Sequence, residues 1–310
     1  MSAAATAPQI SLNHILYLTD FSESSRSALG LAKAVARGYG SHIHALHVLL
    51  PPPVMYSEQQ SAAVAADAWE EAATANMKRL ESDLSGIPHE CSMESGADPW
   101  TAIRQQITVL HADLIILGTH GRTGIPRLLL GSVAEEIFRQ AEVPVLTIGP
   151  YSAKNWDGSA EFRKILLATD FGPDSRAAAS YAISFAQAYE GRLDLLHVIR
   201  ARNEKAERAG DGRSAAAAMH ELHEVVPDEE QLRCKAHSIV QFGDPAEQIL
   251  EAAKEFESDL IVMGVRSAPN RMGRATHLER PVAHRVVIRA ACPVLTVRDV
   301  RPANTIPHAV

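Results

Sequence analysis

Cysteine is scarce in this chain, which has three among 310 residues. Cys91, Cys234 and Cys292 are scattered, odd in number and not in metal-ligand spacing. An extracellular disulfide scaffold would need paired cysteines at close spacings, and a structural zinc site would need clustered ones. We therefore expect structural thiols in a reducing compartment.

Basic clusters and long apolar runs are also missing. No run of Lys and Arg occurs and the formal net charge is −7, which argues against a nucleic-acid binder because neutralising phosphates requires a concentrated basic face. No stretch of 18 apolar residues occurs, and residues 3–8 lack the charged region and apolar core of a signal peptide. We expect a soluble, cytoplasmic protein with neither nucleic acid nor a membrane among its partners.

Three loops that mark efficient hydrolytic or adenylating enzymes are absent: GxxxxGK[ST], a Ser-Gly-Gly adenylation loop and a G-x-S-x-G elbow. An efficient NTPase or hydrolase is therefore not indicated. Aromatic residues are few, at 5%, and alanine is abundant, which suits helices packed closely on a sheet. The length is long for one domain and comfortable for two.

The chain contains an internal duplication. Residues 14–50 and 164–200 are identical at 14 of 37 positions, at a constant offset of 150 and without a gap. The shared positions include Thr-Asp-Phe at 19–21 and 169–171 and His-Val at 47–48 and 197–198. Later segments align at offsets of 146 and 149. We predict one domain over residues 12–150, a linker over 151–162 and a second domain over 163–299.

Residues 113–148 are predicted to form a strand, a glycine-rich loop, a helix and a second strand. The run Leu114–Leu117 is apolar on both faces, as in a buried parallel strand, whose carboxyl end is where a ligand would sit. The loop has the pattern G-x2-G-x9-G-S and ends at Gly131-Ser132, which open the helix. The helix start, the Ser132 hydroxyl and the cations Arg122 and Arg127 predict a phosphate cradle, and the alternative is a plain glycine-rich connector.

Followed by Val133-Ala134, this pattern resembles the fingerprint of the ATP-binding type of the universal stress protein family. The resemblance covers about residues 15–150 and 164–299. It implies an α/β fold of two tandem doubly wound (Rossmann-like) domains, each a five-stranded parallel sheet of order 3-2-1-4-5 flanked by helices. Two such domains commonly pair through their final strands in that family. The two halves therefore look like an intramolecular version of the dimer, and a homodimer of whole chains stays open.

The same resemblance implies a ligand, namely ATP or another adenine nucleotide with Mg²⁺. Asp20 would lie beside the ribose or a phosphate-bound metal, although it has an alternative role as a helix cap, and the Val48 backbone would meet adenine. Asp20 is the one implied metal ligand. The implied binding residues are Thr19, Asp20, Val48, Gly118, His120, Gly121, Arg122, Thr123, Gly124, Gly131, Ser132, Val133 and Ala134.

The second half departs from this fingerprint. Its loop begins Gly264-Val-Arg-Ser and has 12 further residues, rather than nine, before Arg280-Pro281, which stand where Gly131-Ser132 stand in the first half. A bulky arginine replaces the close-approach glycine, and Pro281 has no N–H to donate to a phosphate. We therefore expect one nucleotide per chain, bound in the first half.

Two further patterns favour ordinary structural roles. His42 and His44 share one face of a strand while His47 points to the other, which favours strand histidines over a metal site. An amphipathic helix over residues 69–84 is expected to turn its apolar side to the core. That side carries Trp69, Met77, Leu80 and Leu84.

Taken together, these features predict a stress-response protein that binds ATP and uses its occupancy as a switch or a reservoir. Two alternatives remain open. One is a slow nucleotide hydrolase or phosphotransferase that uses Asp20 and His120. The other is a protein-interaction module, with an unknown protein partner, in which the nucleotide site is vestigial.

Overall fold

A computed structural model of the chain describes residues 10–50, 59–120, 130–152, 161–200, 212–226, 234–266 and 281–299. In both halves, strands and helices alternate. The first half contains β1 His14–Leu18, α1 Glu23–Tyr39, β2 His42–Leu49, α2 Gln59–Asp83, β3 His89–Ser95, α3 Pro99–Leu110, β4 Leu114–Gly118, α4 Ser132–Gln140 and β5 Val145–Ile148. The second contains β6 Lys164–Thr169, α5 Pro173–Ala188, β7 Arg192–Ile199, α6 Gly212–Val225, β8 Lys235–Phe242, α7 Pro245–Glu255, β9 Leu260–Gly264, α8 Val282–Arg289 and β10 Val294–Val297.

The ten strands form one sheet of order β3-β2-β1-β4-β5-β10-β9-β6-β7-β8. Within each half every pairing is parallel and the order is 3-2-1-4-5. The two halves join where β5 pairs antiparallel with β10. The predicted α/β fold of two tandem doubly wound units is confirmed, and the final strands of the two halves meet as the resemblance implies.

Helix α1 shows how local sequence signals place these elements. Ser22 is its N-cap and accepts a hydrogen bond from the Ser25 backbone N–H, while Gly40 ends it in the left-handed conformation. Its buried face carries Ala28, Leu31 and further small residues that pack on the sheet. Because β1 and β4 are covered on both faces, their apolar residues are almost wholly buried.

The segment between the halves is partly built into the core. Phe162, which the sequence analysis assigned to the linker, is fully buried, and its ring meets Phe185 at 5.3 Å and Tyr189 at 5.2 Å. The domain bounds 12–150 and 163–299 stay predictions. In the described part of the chain, none of the helices has the length and apolar character that a membrane span requires.

Candidate functional site

A cavity of about 450 Å³ opens at the carboxyl ends of β2, β1 and β4 in the first half. Strand order reverses between β1 and β4, because one connection leads outward to β2 and the other to β5, so the sheet leaves a crevice there. A cavity of this size falls within the ~300–1,000 Å³ typical of small-molecule sites. The sequence-predicted location of the site therefore coincides with a real opening in the fold.

Nine of the implied binding residues line this cavity: Thr19, Asp20, Val48, Gly118, His120, Gly131, Ser132, Val133 and Ala134. They come from the ends of three strands and from the first turn of α4, so residues more than 100 positions apart are brought together. The other four, Gly121, Arg122, Thr123 and Gly124, lie outside the described residues, as does Arg127.

The end of the cavity at α4 offers backbone donors. Gly131 is the N-cap of this helix, and no side chain in the described part of the chain forms a capping hydrogen bond there. By contrast, α1 and α3, which also border the cavity, are capped by Ser22 and Asp98. An uncapped helix start presents N–H groups and a partial positive charge, which are suited to an anion. The predicted helix start at Gly131-Ser132 is confirmed.

Asp20 is the one carboxylate among the described lining residues. It does not cap α1, since Ser22 does; its Oδ1 instead accepts a hydrogen bond from the Ser22 N–H at 3.0 Å. Phe21, next in the chain, adopts a left-handed φ of 62°. The Phe21 N–H donates to Thr19 Oγ1 at 3.0 Å, and Nδ1 of His47 donates to the Thr19 carbonyl at 2.7 Å.

This loop geometry recurs in the second half. Phe171 has a φ of 61°, its N–H donates to Thr169 Oγ1 at 3.0 Å, and His197 Nδ1 donates to the Thr169 carbonyl at 2.9 Å. A left-handed φ is rare for a bulky side chain and persists only where surrounding contacts hold it. The shared Thr-Asp-Phe and His-Val motifs are therefore explained by strand-end structure. Their presence in both halves does not by itself indicate two ligand sites.

His120 lies at the junction of β4 with the loop. Its Nδ1 is 2.8 Å from Thr119 Oγ1, and its carbonyl accepts a weak hydrogen bond from Ser22 Oγ at 3.4 Å. This contact joins the N-cap of α1 to the loop that follows β4. The imidazole lines the cavity, within the same opening as Asp20.

Gly118 lines the cavity, and its lack of a side chain also has a packing reason. A Cβ at this position would lie 2.3 Å from Ser24 Oγ and 2.6 Å from the Ser24 carbonyl carbon. Glycine is therefore required because the start of α1 packs directly on β4. Gly264 meets the same constraint in the second half, at 2.4 Å from Ser175 N.

Helix α2 forms one wall of the cavity, which its sequence pattern does not predict. Met77, Leu80 and Leu84 are buried as expected, but Trp69, on the same helical stripe, is 48% exposed and lines the cavity with Asn76. Helix α2 also begins at Gln59, ten residues earlier than the predicted start. Along this one helical face, the residues near the C-terminal end pack on the core and those nearer the N-terminal end line the cavity. Helical periodicity alone does not reveal this difference.

At the corresponding position, the second half has an exposed ion pair. Arg266 aligns with His120, and its Nη2 lies 2.7 Å from Oδ2 of Asp170, the counterpart of Asp20. Burial alone would raise the pKa of Asp170, but hydrogen bonds from Ser175 and Gly172 and the pairing with Arg266 together lower it. Pro281 is the N-cap of α8 and has no N–H to offer. Ser267 and Arg280 lie outside the described residues.

Within the described ranges, no three His, Cys, Asp or Glu side chains are grouped so that they could hold a metal ion by themselves. Mg²⁺ in nucleotide sites is typically held by one or two carboxylates together with ligand phosphates, so a single Asp20 is compatible with a metal that arrives with its nucleotide. The rings of His42 and His44 instead lie tilted against each other with their centroids 4.5 Å apart, and His14 Nδ1 is 3.1 Å from His44 Nε2.

Comparison with known proteins gives consistent matches. A sequence model of the universal stress protein family matches residues 11–149 and again residues 161–298. A universal stress protein of Mycolicibacterium smegmatis is 26% identical over 297 residues, covering 92% of this chain and 96% of that protein. Another, from Thermus aquaticus, is 30% identical over 140 residues, covering 43% of this chain and 96% of its own length. The crystal structure of a universal stress protein from Archaeoglobus fulgidus aligns with a TM-score of 0.67 at 23% identity, and the alignment covers 93% of this chain and 99% of that one. At this identity, the likeness bears on the fold alone.

Proposed function

Because the chain belongs to the universal stress protein family, with a match in each half, we propose that its first half binds an adenine nucleotide, with ATP the expected ligand. Occupancy of the site then acts as a switch or a reservoir in a stress response. The observation that carries the proposal is that the two ends of the cavity differ. One end is lined by apolar residues, and the other contains the uncapped start of α4.

The base is assigned to the end formed by β2, α2 and α3. Lining residues there include Val48, Leu50, Trp69 and Ile103, which offer apolar surface and one aromatic face to a planar base. Asn76 is the one amide side chain among the described lining residues, and it has both donors and an acceptor for a base edge.

The phosphates are assigned to the other end. The α4 N-terminus and the Ser132 hydroxyl supply donors, and the helix supplies a partial positive charge. Asp20 would hold a Mg²⁺ ion that arrives with the nucleotide, and such an ion would neutralise part of the phosphate charge.

The test is calorimetric titration of nucleotide-stripped protein with ATP, after mass spectrometry of any ligand retained through purification. We expect one site per chain, and no binding by Gly131→Val in a folded protein, because a branched side chain would occupy the space where phosphate meets the helix. The φ of Gly131 is −62°, which any residue adopts, so the fold should tolerate valine. A stoichiometry near two that falls to one in the variant would establish a working site in the second half.

Slow hydrolysis is a second candidate function, favoured by the presence of Asp20 and His120 in one cavity. Incubating the complex with Mg²⁺ for several hours and measuring released ADP or phosphate separates an enzyme from a binder. The wild-type protein and His120→Gln should be compared. Product formation that depends on His120 would favour the enzyme, and stable ATP would favour the switch or reservoir.

A further inference from the structure

The contact between the halves has approximate two-fold symmetry. Thr147 Oγ1 donates to the Val294 carbonyl at 3.2 Å, and Thr296 Oγ1 donates to the Val145 carbonyl at 3.3 Å. These residues correspond at the sequence offset of 149. Such reciprocal contacts are what two identical subunits make across a two-fold axis.

One pair of corresponding residues close to this axis is not identical in the two halves. Glu135 of α4 and His284 of α8 also correspond at the offset of 149, so a pair of identical first halves would place one Glu135 against another. In this chain Nε2 of His284 lies 2.8 Å from Oε2 of Glu135, and the histidine is only 7% exposed. Its ring also meets Phe138 edge-on at 5.9 Å.

A second unlike contact holds the other end of α4. The Arg298 guanidinium donates to the carbonyls of Phe138 and Ala141, which are the last acceptors of that helix. A cation is favourable there because it satisfies free carbonyls and complements the helix dipole. The counterpart of Arg298 at the same offset is Gly149, which has no side chain. A Cβ built on it would lie 3.5 Å from the Val287 carbonyl oxygen and 3.9 Å from that of Ala290, at the end of α8.

We propose that the second half is a built-in, non-equivalent partner whose His284 and Arg298 hold helix α4 in position. This proposal rests on the function proposed above, because α4 is the helix whose N-terminus forms the phosphate end of the site. His284 pairs with Glu135 in the first turn of α4, and Arg298 donates hydrogen bonds to carbonyls at the C-terminal end of that helix. The half that lost the nucleotide fingerprint thereby keeps a role as the positioning partner of the half that retains it. An isolated copy of the first half could not supply either contact to itself.

The interface part of the proposal is tested in the full chain by thermal unfolding. His284→Glu places two carboxylates together, and we expect the unfolding midpoint to fall by more than about 3 °C. The charge-swapped double variant E135H/H284E should recover at least half of that loss. If the swap is no more stable than His284→Glu, the pair does not specify the interface. His284→Gln, which keeps an N–H donor, serves if the glutamate variant does not fold.

The positioning part is tested by ATP affinity, measured well below each unfolding midpoint. We expect Arg298→Ala to weaken ATP roughly fivefold or more, with partial recovery in Arg298→Lys, because lysine keeps the charge at the helix end. Arg285→Ala is the matched control: Arg285 lies on α8 but pairs with Asp244 and Glu247 of α7, so its loss should leave affinity unchanged.

The outcomes are distinguishable. Wild-type affinity in Arg298→Ala and His284→Glu would overturn the positioning role while leaving the nucleotide site intact. Equal weakening in Arg285→Ala would also overturn it, since general destabilisation would then explain the effect. Absence of ATP binding by the wild-type protein itself would refute the proposed function, and with it the positioning role, whereas the unfolding experiment would still decide the interface.

Discussion

Gly118 and Gly264 provide a matched pair of perturbations, one at the candidate site and one at its counterpart. A Cβ on Gly118 would lie 2.6 Å and 2.7 Å from the backbone carbon and oxygen of Ser24, and a Cβ on Gly264 would lie 2.4 Å from Ser175 N and 2.5 Å from the carbonyl carbon of Asp174. Backbone atoms cannot rotate away as a side chain can. An alanine at either position therefore forces the start of the neighbouring helix, α1 or α5, to move.

The size of the effect follows from these distances. Carbon atoms pack best at about 3.5–4.0 Å, so the helix start must shift by roughly 1 Å. Overpacking of this kind typically costs about 1–3 kcal/mol of unfolding free energy. For a chain of 310 residues that unfolds as one unit, with about 2.1 cal/mol/K of unfolding entropy per residue, that corresponds to a fall of roughly 1.5–5 °C in the unfolding midpoint. Neither glycine is among the described residues with positive φ, so the cost is steric and not conformational.

We expect Gly118→Ala and Gly264→Ala to lose similar stability but to differ in ATP binding. Asp20 and Ser25 lie at the displaced start of α1 and line the cavity, so only Gly118→Ala should weaken ATP. Thermal unfolding by circular dichroism and calorimetric titration at 15 °C measure the two quantities. Wild-type stability in Gly118→Ala would refute the packing argument, and equal affinity losses in both variants would refute the assignment of the site to the first half.

Three further outcomes are expected. Ser132→Ala should weaken the binding of ATP by about 1–3 kcal/mol and the binding of adenosine much less, because the Ser132 hydroxyl is assigned to a phosphate. Equal losses for the two ligands in parallel titrations would contradict that assignment. Cys91 should react with iodoacetamide more slowly at pH 8 in the folded chain than in urea, because burial and then the carboxylates Glu81 and Glu90 raise its pKa to about 11; mass spectrometry of the labelled peptide decides this. Burial and neighbouring histidines lower the pKa of His42 and His44, so the folded state binds fewer protons than the unfolded state and stability should fall as pH drops below 6.5. Denaturant unfolding between pH 7 and 5 should show a shallower fall in His44→Asn, and an identical slope would contradict the assignment.

Much of the fold was predictable because its signals are local. The apolar run Leu114–Leu117 indicates a parallel strand buried on both faces, and the structure places it in β4 with almost no exposure. Asp98 followed by Pro99 is the pattern of a helix start, and Asp98 caps α3 in the structure. The duplication at an offset of 150 then predicts that the strands of the second half repeat the order of the first, because the same pattern buries the same faces.

The candidate site was predictable only in part. The glycine fingerprint indicates where a ligand approaches the end of β4, and nine implied residues do line the cavity. Trp69 and Asn76 could not be assigned, since helical periodicity places Trp69 on the same stripe as the buried Met77 and contains no information on where the underlying sheet ends. The packing of α1 against Gly118 could not be assigned from the sequence either, because it depends on a contact between separate elements.

The sequence by itself determined the alternation of strands and helices, the duplication and the loss of the glycine fingerprint in the second half, because each depends on residues close together in the chain. Only the tertiary structure decided the pairings across long separations. It brings Arg266 to Asp170 at the counterpart of the site, and it brings His284 and Arg298 to α4. These contacts join residues some 100–160 positions apart in the chain. They depend on the order in which the strands pair in the sheet, and no local pattern of polarity or propensity encodes that order.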